Sequence, residues 1–360
     1  MHRILLVRLR RIGDVVFTTP AVHALRRHFP AAHLTYIVEP AAAPIVLHNP
    51  HLDEVIVAPR TRGVRGMLED LALGGRLRAG RYDLAIDFHG GPRASLLTWL
   101  SGARERIGYE VAGRSWMYTR RIARPRELRP RHSVENQWDL LAALGIGPPE
   151  RSEFPVEMPV ESQAALTVAA RLARAGVEGT DALVVVHVSA GNPFRRWPAE
   201  HFVALVSALA SGDSRRRIVI TSGPSEGDAA GRVIADARAR LDRGTAARVL
   251  SCGEFSLPEL RALVERAALY IGGDSGPLHV AATTRVPIVG LYGPTLPSRS
   301  APWRGEDSVT ESVDAGALPC RPCDQRVCEP GDFRCLTSIQ PAQVLEAATR
   351  ALTNALRHPR

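Results

Sequence analysis

Short apolar runs alternate with stretches of helical spacing along the first hundred residues. Residues 4–7 read as a buried strand, 10–13 as a loop and 15–28 as a helix. Residues 33–38, 54–57 and 82–88 are further strand candidates, with helix-like stretches between them. Strands that alternate with helices indicate parallel βαβ units, because parallel neighbours need a crossover connection. The pattern loosens after Gly102, where arginines accumulate.

A second cycle follows the stretch Gly145-Ile146-Gly147-Pro148-Pro149, which has the composition of a domain boundary. Residues 163–175 suit a helix, and 183–188 form a near-continuous β-branched run, as expected of a strand covered on both faces. Helices are predicted at 198–210 and 226–241, and strands at 217–221, 248–250, 269–271 and 287–291. Ser256 and Glu259 have the spacing of a capping box for a helix over 256–266. A final helix covers 341–358, with Pro341 in its first turn. The pattern gives an α/β chain of two doubly wound domains facing a cleft, with ligands at the carboxyl ends of the strands. We divide it at 1–160, 161–340 and a C-terminal helix over 341–360.

Charge adds a direction. The chain has 46 basic and 37 acidic residues, net +9, and every basic residue is arginine. Residues 60–131 hold 16 arginines against 7 acids, so the rest of the chain is neutral. A localised excess implies an anionic partner: nucleic acid, a phosphorylated ligand or an acidic membrane surface. No apolar run reaches the roughly 18 residues of a membrane span, and the N-terminal apolar segment is too short for a secretory signal, so a cytoplasmic location is expected. Five cysteines, four of them between 320 and 335, do not describe a disulfide scaffold in a chain of 360 residues.

Four strand-end loops have ligand-binding character. Arg11-Ile12-Gly13-Asp14 follows the first strand. Gly13 would permit a tight backbone turn, and Asp14 is either a helix N-cap or a cleft carboxylate able to act as general base or sugar ligand. Gly272-Gly273-Asp274-Ser275-Gly276-Pro277-Leu278-His279 suits a nest of N–H groups at a helix start, a natural phosphate site. His187-Val188-Ser189-Ala190-Gly191-Asn192, followed by Arg195-Arg196-Trp197-Pro198, stands where open α/β sheets contact phosphate or ribose. Arg195 could pair with a diphosphate or be a surface arginine beside a packed tryptophan. In Ser222-Gly223-Pro224-Ser225-Glu226, Glu226 could hold a ribose or simply favour the helix dipole. No Gly-x-Gly-x-x-Gly supports a dinucleotide cofactor. A nucleotide diphosphate on one domain and a base on the other is a transferase arrangement.

The segments RIGDVVFTTPAVHALRRHFP, HVSAGNPFRRWPAEHF, TSGPSEGD, GGDSGPLHVAATTRVPIVGLYGPT and PCRPCDQRVC together resemble the ADP-heptose–lipopolysaccharide heptosyltransferase family, in the same order from about residue 3 to residue 350. The resemblance implies a GT-B architecture whose last helix packs back on the N-terminal domain. It implies inverting transfer of L-glycero-D-manno-heptose from ADP-heptose to the lipopolysaccharide inner core, with the protein peripheral at the inner face of the inner membrane. Asp14 matches the base, in an acceptor loop with Arg11 and Gly13. Asp274 matches a carboxylate that holds heptose hydroxyls, Ser275 and Gly276 the N–H donors to the diphosphate, and His279 the motif histidine. Glu226 matches the ribose ligand, and Ser189 belongs to the same donor set. Arg195 falls where many members carry lysine, keeping the charge but changing its geometry. No cofactor is required on this reading.

Cys320, Cys323, Cys328 and Cys335 could supply four thiolates to zinc, although only the opening C-x2-C spacing suits a common zinc module. Reduced thiols in an ordered loop are the default reading. Two other functions stay open: a transferase using another nucleotide sugar for a cell-envelope glycan, and a nucleotide-sugar epimerase or hydrolase. Nucleic-acid binding is disfavoured, since aromatic residues make up 5% of the chain and do not interleave with the arginines.

Overall fold

In the computed structural model, which describes residues 1–123 and 131–357, the chain divides into Met1–Pro159 and Val160–Arg360. The first unit carries strands β1 (Arg3–Val7), β2 (His33–Val38), β3 (Glu54–Val57), β4 (Leu84–Asp87), β5 (Glu105–Tyr109) and β6 (Arg120–Ile122). They form one sheet in the order β3-β2-β1-β4-β5-β6, parallel throughout. The second unit has β7 (Ala182–His187), β8 (Arg216–Thr221), β9 (Val249–Leu250), β10 (Leu269–Gly273), β11 (Ile288–Tyr292) and β12 (Thr310–Asp314), in the order β12-β11-β10-β7-β8-β9. Read from its own first strand, the second order repeats the first, and both are the Rossmann arrangement. The chain reverses its winding between β1 and β4 in one unit and between β7 and β10 in the other. Crevices for ligands open at those two places, beyond the carboxyl ends of the strands.

The central strands are apolar because both faces are covered. Ile4, Leu5, Leu6 and Val7 are fully buried, as are Val184, Val185 and Val186. Leu5, Val7, Ala85 and Leu97 belong to the first unit's core, and Val184, Val186, Leu205 and Ile271 to the second's. Around the sheets run helices α1 (Ile12–Val16), α2 (Thr19–His28), α3 (Gly63–Ala79), α4 (Pro92–Leu100), α5 (Ser133–Ala142), α6 (Ser162–Arg174), α7 (Ala199–Gly212) and α8 (Gly227–Ala239). Among the described residues, no helix is long and apolar enough to cross a membrane.

Several details differ from the expectation. The single helix expected over 15–28 is two, broken where Thr18 and Thr19 turn their hydroxyls back onto the carbonyls of Val15 and Val16 at 2.6 and 2.8 Å. The C-terminal helix, Pro341–Arg357, buries Val344, Ala347, Ala348 and Ala351 in the core of the second unit. It packs beside α7, β10, β11 and β12, where its apolar stripe completes the face of the second sheet. The arginine excess is also partly internal. Arg93 is held between Glu39 and Asp70, at 3.0 and 2.8 Å, and Arg106 donates to the carbonyls of Ala103 and Met117. Arg124, Arg126 and Arg129 lie outside the described residues.

Candidate functional site

In the first unit, the loops after β1 and β4 bring one acidic group among several cations. The turn out of β1 is made by Arg11, whose φ of 67° is in the left-handed region, while Gly13 is already helical. The tight turn expected of Gly13 is thus made one position beyond Arg10 by a residue that adopts such a φ at a cost. Asp14 sits in the first turn of α1 and makes no cap bond. Its carboxylate instead pairs with the guanidinium of Arg8, which also donates to the carbonyl of Phe88 at 2.5 Å. Arg8 is therefore clamped between the ends of β1 and β4.

Beside it, His89 is held neutral: burial, then the nearby charges of Arg8 and Arg10, push its pKa down to about 4. The loop carrying His89 is fixed by Asp87, whose carboxylate accepts the backbone N–H groups of His89 and Gly90 at 2.8 and 2.9 Å and the Tyr118 hydroxyl at 2.7 Å. Asp87 is fully buried, and burial raises its pKa despite those donors. Arg8, His89 and Asp87 were not singled out from the sequence. The run Asp87-Phe88-His89-Gly90-Gly91 at a strand end carried the signal, since polar and glycine residues directly after an apolar run mark a binding loop.

The second unit assembles its site from the loops after β7, β8 and β10. The neighbouring residues Arg195, Arg196 and Trp197 leave a short 3-10 turn, Pro193–Arg195, in three directions. Trp197 is buried and donates its indole N–H to the carbonyl of Ile339 at 3.0 Å. Arg196 reaches the β8 loop, pairing with Glu226 at 2.7 Å. Arg195 reaches the β10 loop: its Nη1 donates to the Asp274 carbonyl at 2.8 Å and lies 3.2 Å from the carboxylate. Gly273 makes this approach possible, since a Cβ there would stand 3.2 Å from the Arg195 carbonyl oxygen.

Asp274 is 2% exposed, and its other oxygen lies 3.4 Å from Nε2 of His279. Burial alone would raise the Asp274 pKa, but His279, Arg195 and Thr295 together hold it below the usual carboxylate range. Arg195 and His279 thus each stand beside one of the two carboxylate oxygens. Ser275 precedes the short helix Gly276–Ala281, and its buried hydroxyl has no hydrogen-bond partner among the described residues. Ser189 accepts the N–H of Gly223 at 2.7 Å and lies 3.1 Å from His187. His187 also contacts the Thr221 hydroxyl at 3.0 Å, and burial pushes its pKa down to about 4.

One residue of this site was invisible in the sequence. Gln325, within the cysteine-rich segment, accepts both Nε of Arg195 at 2.7 Å and the amide of Asn192 at 2.8 Å. The segment bends over the β7 loop at this point, with Gln325 itself at φ 60°. No local pattern marks a lone glutamine 130 residues from its partner.

Cys320, Cys323, Cys328 and Cys335 are free thiols that line one pocket together with Phe194 and Phe333. Burial pushes the Cys335 thiol up to about 11, so it stays protonated at neutral pH. Among the described residues, the sulfurs do not gather as a set of metal ligands, unlike His23, His51 and Glu157, whose ligand atoms lie within 4.8 Å of one another.

Comparison with known proteins agrees with this architecture. A model of Glycosyltransferase family 9 (heptosyltransferase) matches residues 71–329. Lipopolysaccharide heptosyltransferase 3 of Escherichia coli K12 is 27% identical over 302 residues, covering 82% of this chain and 83% of its own. A family 9 glycosyl transferase structure from Veillonella parvula has a TM-score of 0.84 at 24% identity, over 98% of this chain and 97% of that one. The E. coli heptosyltransferase WaaC with ADP has a TM-score of 0.69 at 22% identity, over 97% of this chain and 99% of that one. The matched segment begins within α3, takes in the whole second sheet and ends in the cysteine-rich loop. With the paired Rossmann sheets in the GT-B pattern, it shows that the chain is a glycosyltransferase and belongs to glycosyltransferase family 9, the heptosyltransferases.

Proposed function

We propose that the protein transfers heptose from ADP-L-glycero-D-manno-heptose to the lipid-linked inner core of lipopolysaccharide, with inversion at the anomeric carbon. The observation that carries the reading is the Arg195–Asp274–His279 assembly at the β7/β10 crevice, a fixed cation where a nucleotide diphosphate would bind. Relatives named as lipopolysaccharide heptosyltransferases, and a structural neighbour that holds ADP, support the choice of donor and acceptor.

In this reading, Asp14 takes the proton of the acceptor hydroxyl as that oxygen bonds to the anomeric carbon. The bond from that carbon to the β-phosphate oxygen breaks, and its electron pair leaves with ADP. Arg195 stabilises the charge that grows on the departing diphosphate, together with backbone N–H groups of Ser275 and Gly276. Asp274 and His279 keep Arg195 in place, while Ser189 and Glu226 line the ribose side. Arg11 and Gly13 shape the acceptor loop. The side chains supply the charge stabilisation, so no cofactor is required. A lipid-linked acceptor would bring the enzyme to the anionic inner face of the inner membrane as a peripheral protein.

The test is incubation with ADP-heptose and a panel of truncated lipopolysaccharide cores, read by mass. A gain of one heptose on one core, with ADP released, is expected. Release of ADP from the donor without any acceptor would overturn the reading in favour of a hydrolase.

A further inference from the structure

Helix α3 (Gly63–Ala79) has two apolar stripes. One is seated in the core: Leu73 and Leu77 are buried, and Gly74 lets the helix press against Leu100 of α4, where a Cβ would meet that side chain at 2.7 Å. The other is Val64, Met67, Leu68 and Leu71, at the i, i+3, i+4 and i+7 spacing of a single helix face. Rotated by 100° per residue, that stripe points away from Leu73 and Leu77. Its four side chains are between 49% and 69% exposed. A helix normally shows water a polar face, so a second apolar stripe on an exposed helix marks a surface that something covers.

The surroundings indicate what covers it. Residues 60–81 contain six arginines, Arg60, Arg62, Arg65, Arg76, Arg78 and Arg81, against two acids. Asp70 is already committed to Arg93 and Glu69 to Arg65, which leaves Arg60, Arg62, Arg76, Arg78 and Arg81 as the surplus. On the adjoining α4, Trp99 is exposed and meets the exposed Trp116 edge to face, ring centroids 5.5 Å apart. Apolar side chains on one helix face, arginines at its ends and flank, and exposed tryptophans beside it are the composition of a helix lying in a lipid interface. A protein partner would need only the apolar stripe. The surplus of positive charge around it suits a lipid surface of negative charge.

We infer that the outer face of α3 docks the protein on an anionic phospholipid surface, with Met67, Leu68 and Leu71 inserting and the neighbouring arginines pairing with headgroup phosphates. This rests on the proposed lipid-linked acceptor only for its purpose; the surface itself is argued from exposure and charge.

The experiment is flotation with vesicles of phosphatidylcholine containing phosphatidylglycerol, compared with phosphatidylcholine alone and with no lipopolysaccharide present. The full chain is expected to float with the anionic vesicles, and raising the salt from about 0.05 to about 0.5 M should release most of it by screening the headgroup contacts. The triple variant Met67→Ser, Leu68→Ser, Leu71→Ser should lose about tenfold or more in partitioning while keeping its melting temperature, because these side chains support no core. Arg60→Ser with Arg62→Ser should weaken binding to anionic vesicles alone. Wild-type protein that stays at the bottom of the gradient overturns the inference, as does a triple variant that floats undiminished. So does a dimer in light scattering that the triple substitution dissolves, which would assign the face to a second copy. Transfer to a deacylated, soluble core is measured in parallel. Transfer without flotation sinks the surface and leaves the function; flotation without transfer does the reverse.

Discussion

Gln325 offers the sharpest test of how the second site is built. Its Oε1 accepts Nε of Arg195 at 2.7 Å and the Asn192 amide at 2.8 Å, so one oxygen ties the cysteine-rich segment to the β7 loop. A hydrogen bond to a charged group contributes about 1.5–3 kcal/mol in favourable burial. Arg195 is 26% exposed and keeps its contacts to Asp274, so water recovers part of the loss. The net effect on Arg195 placement should be about 1–1.5 kcal/mol, roughly tenfold. Gln325→Gly is the variant of choice, because φ 60° suits glycine and no backbone strain confuses the result. Donor kcat/KM, followed by ADP release, is expected to fall about fivefold to tenfold, with ADP affinity by calorimetry falling in step and the melting temperature little changed. Gln325→Glu should weaken ADP binding further, by placing a negative charge against the same guanidinium. Unchanged donor kinetics in Gln325→Gly would refute the positioning role of Gln325 and, with it, a diphosphate contact that depends on Arg195 being held.

Three further expectations follow from the same geometry. Asp14→Asn should lower transfer by about 10²–10⁴-fold while ADP affinity and thermal stability stay near wild type, since Asp14 caps nothing and only pairs with Arg8; loss of ADP binding would assign it a structural part. Asp274→Ala should destabilise the fold by about 3 kcal/mol in urea denaturation, the lower end for breaking a buried ion pair, because His279 is left buried while Arg195 is partly exposed to water; a change under about 1 kcal/mol would mean that the pair behaves as an exposed one. His187 is neutral in the fold, with its pKa pushed from 6.5 to about 4 by burial. The unfolded chain therefore binds the proton first as acid is added. Stability is complete above about pH 6.5 and declines as the pH falls towards 4, by at most about 3 kcal/mol from this residue. The urea midpoint should track that window, and His187→Gln, which keeps hydrogen-bonding capacity toward Thr221, should flatten it; an unaltered slope would remove His187 as a source.

The strands readable from the sequence are the ones with two covered faces. In β1, β7 and β10 every position but the first or none is buried, so apolar residues run without a break. Glu105–Tyr109, Arg120–Ile122 and Thr310–Asp314 escaped notice for the opposite reason. Their sequences ERIGY, RRI and TESVD keep polar residues because these strands lie at or next to sheet edges, where one side needs no apolar cover. The helix break at Thr18-Thr19-Pro20 was written in the chain, since hydroxyls that compete for carbonyls and a proline without an N–H both favour a new start. Apolar periodicity on either side of it masked the signal. That break matters to the site, because it leaves Asp14 on a helix of five residues pointing its carboxylate at Arg8.

Side-chain partners are a different kind of information, and Arg195 and Arg196 show why. As letters they are interchangeable, and each has the same charge and reach. What separates them is the turn Pro193–Arg195 behind and Trp197 ahead, whose buried ring and bond to Ile339 fix the chain direction. With the backbone pinned at Trp197, one side chain is delivered to Glu226 and the next to Asp274, on opposite sides of β7 in the sheet order. A substitution that frees Trp197 should therefore disturb both arginines at once. The same reasoning applies to the net charge. An excess of nine says that cations outnumber anions, but Arg93 is cancelled by Glu39 and Asp70 inside the fold while Arg62 stands exposed beside an uncovered apolar stripe. Which arginines meet a partner is decided by the acids that folding brings to the others, and for Arg93 those acids, Asp70 and Glu39, come from 23 and 54 residues away.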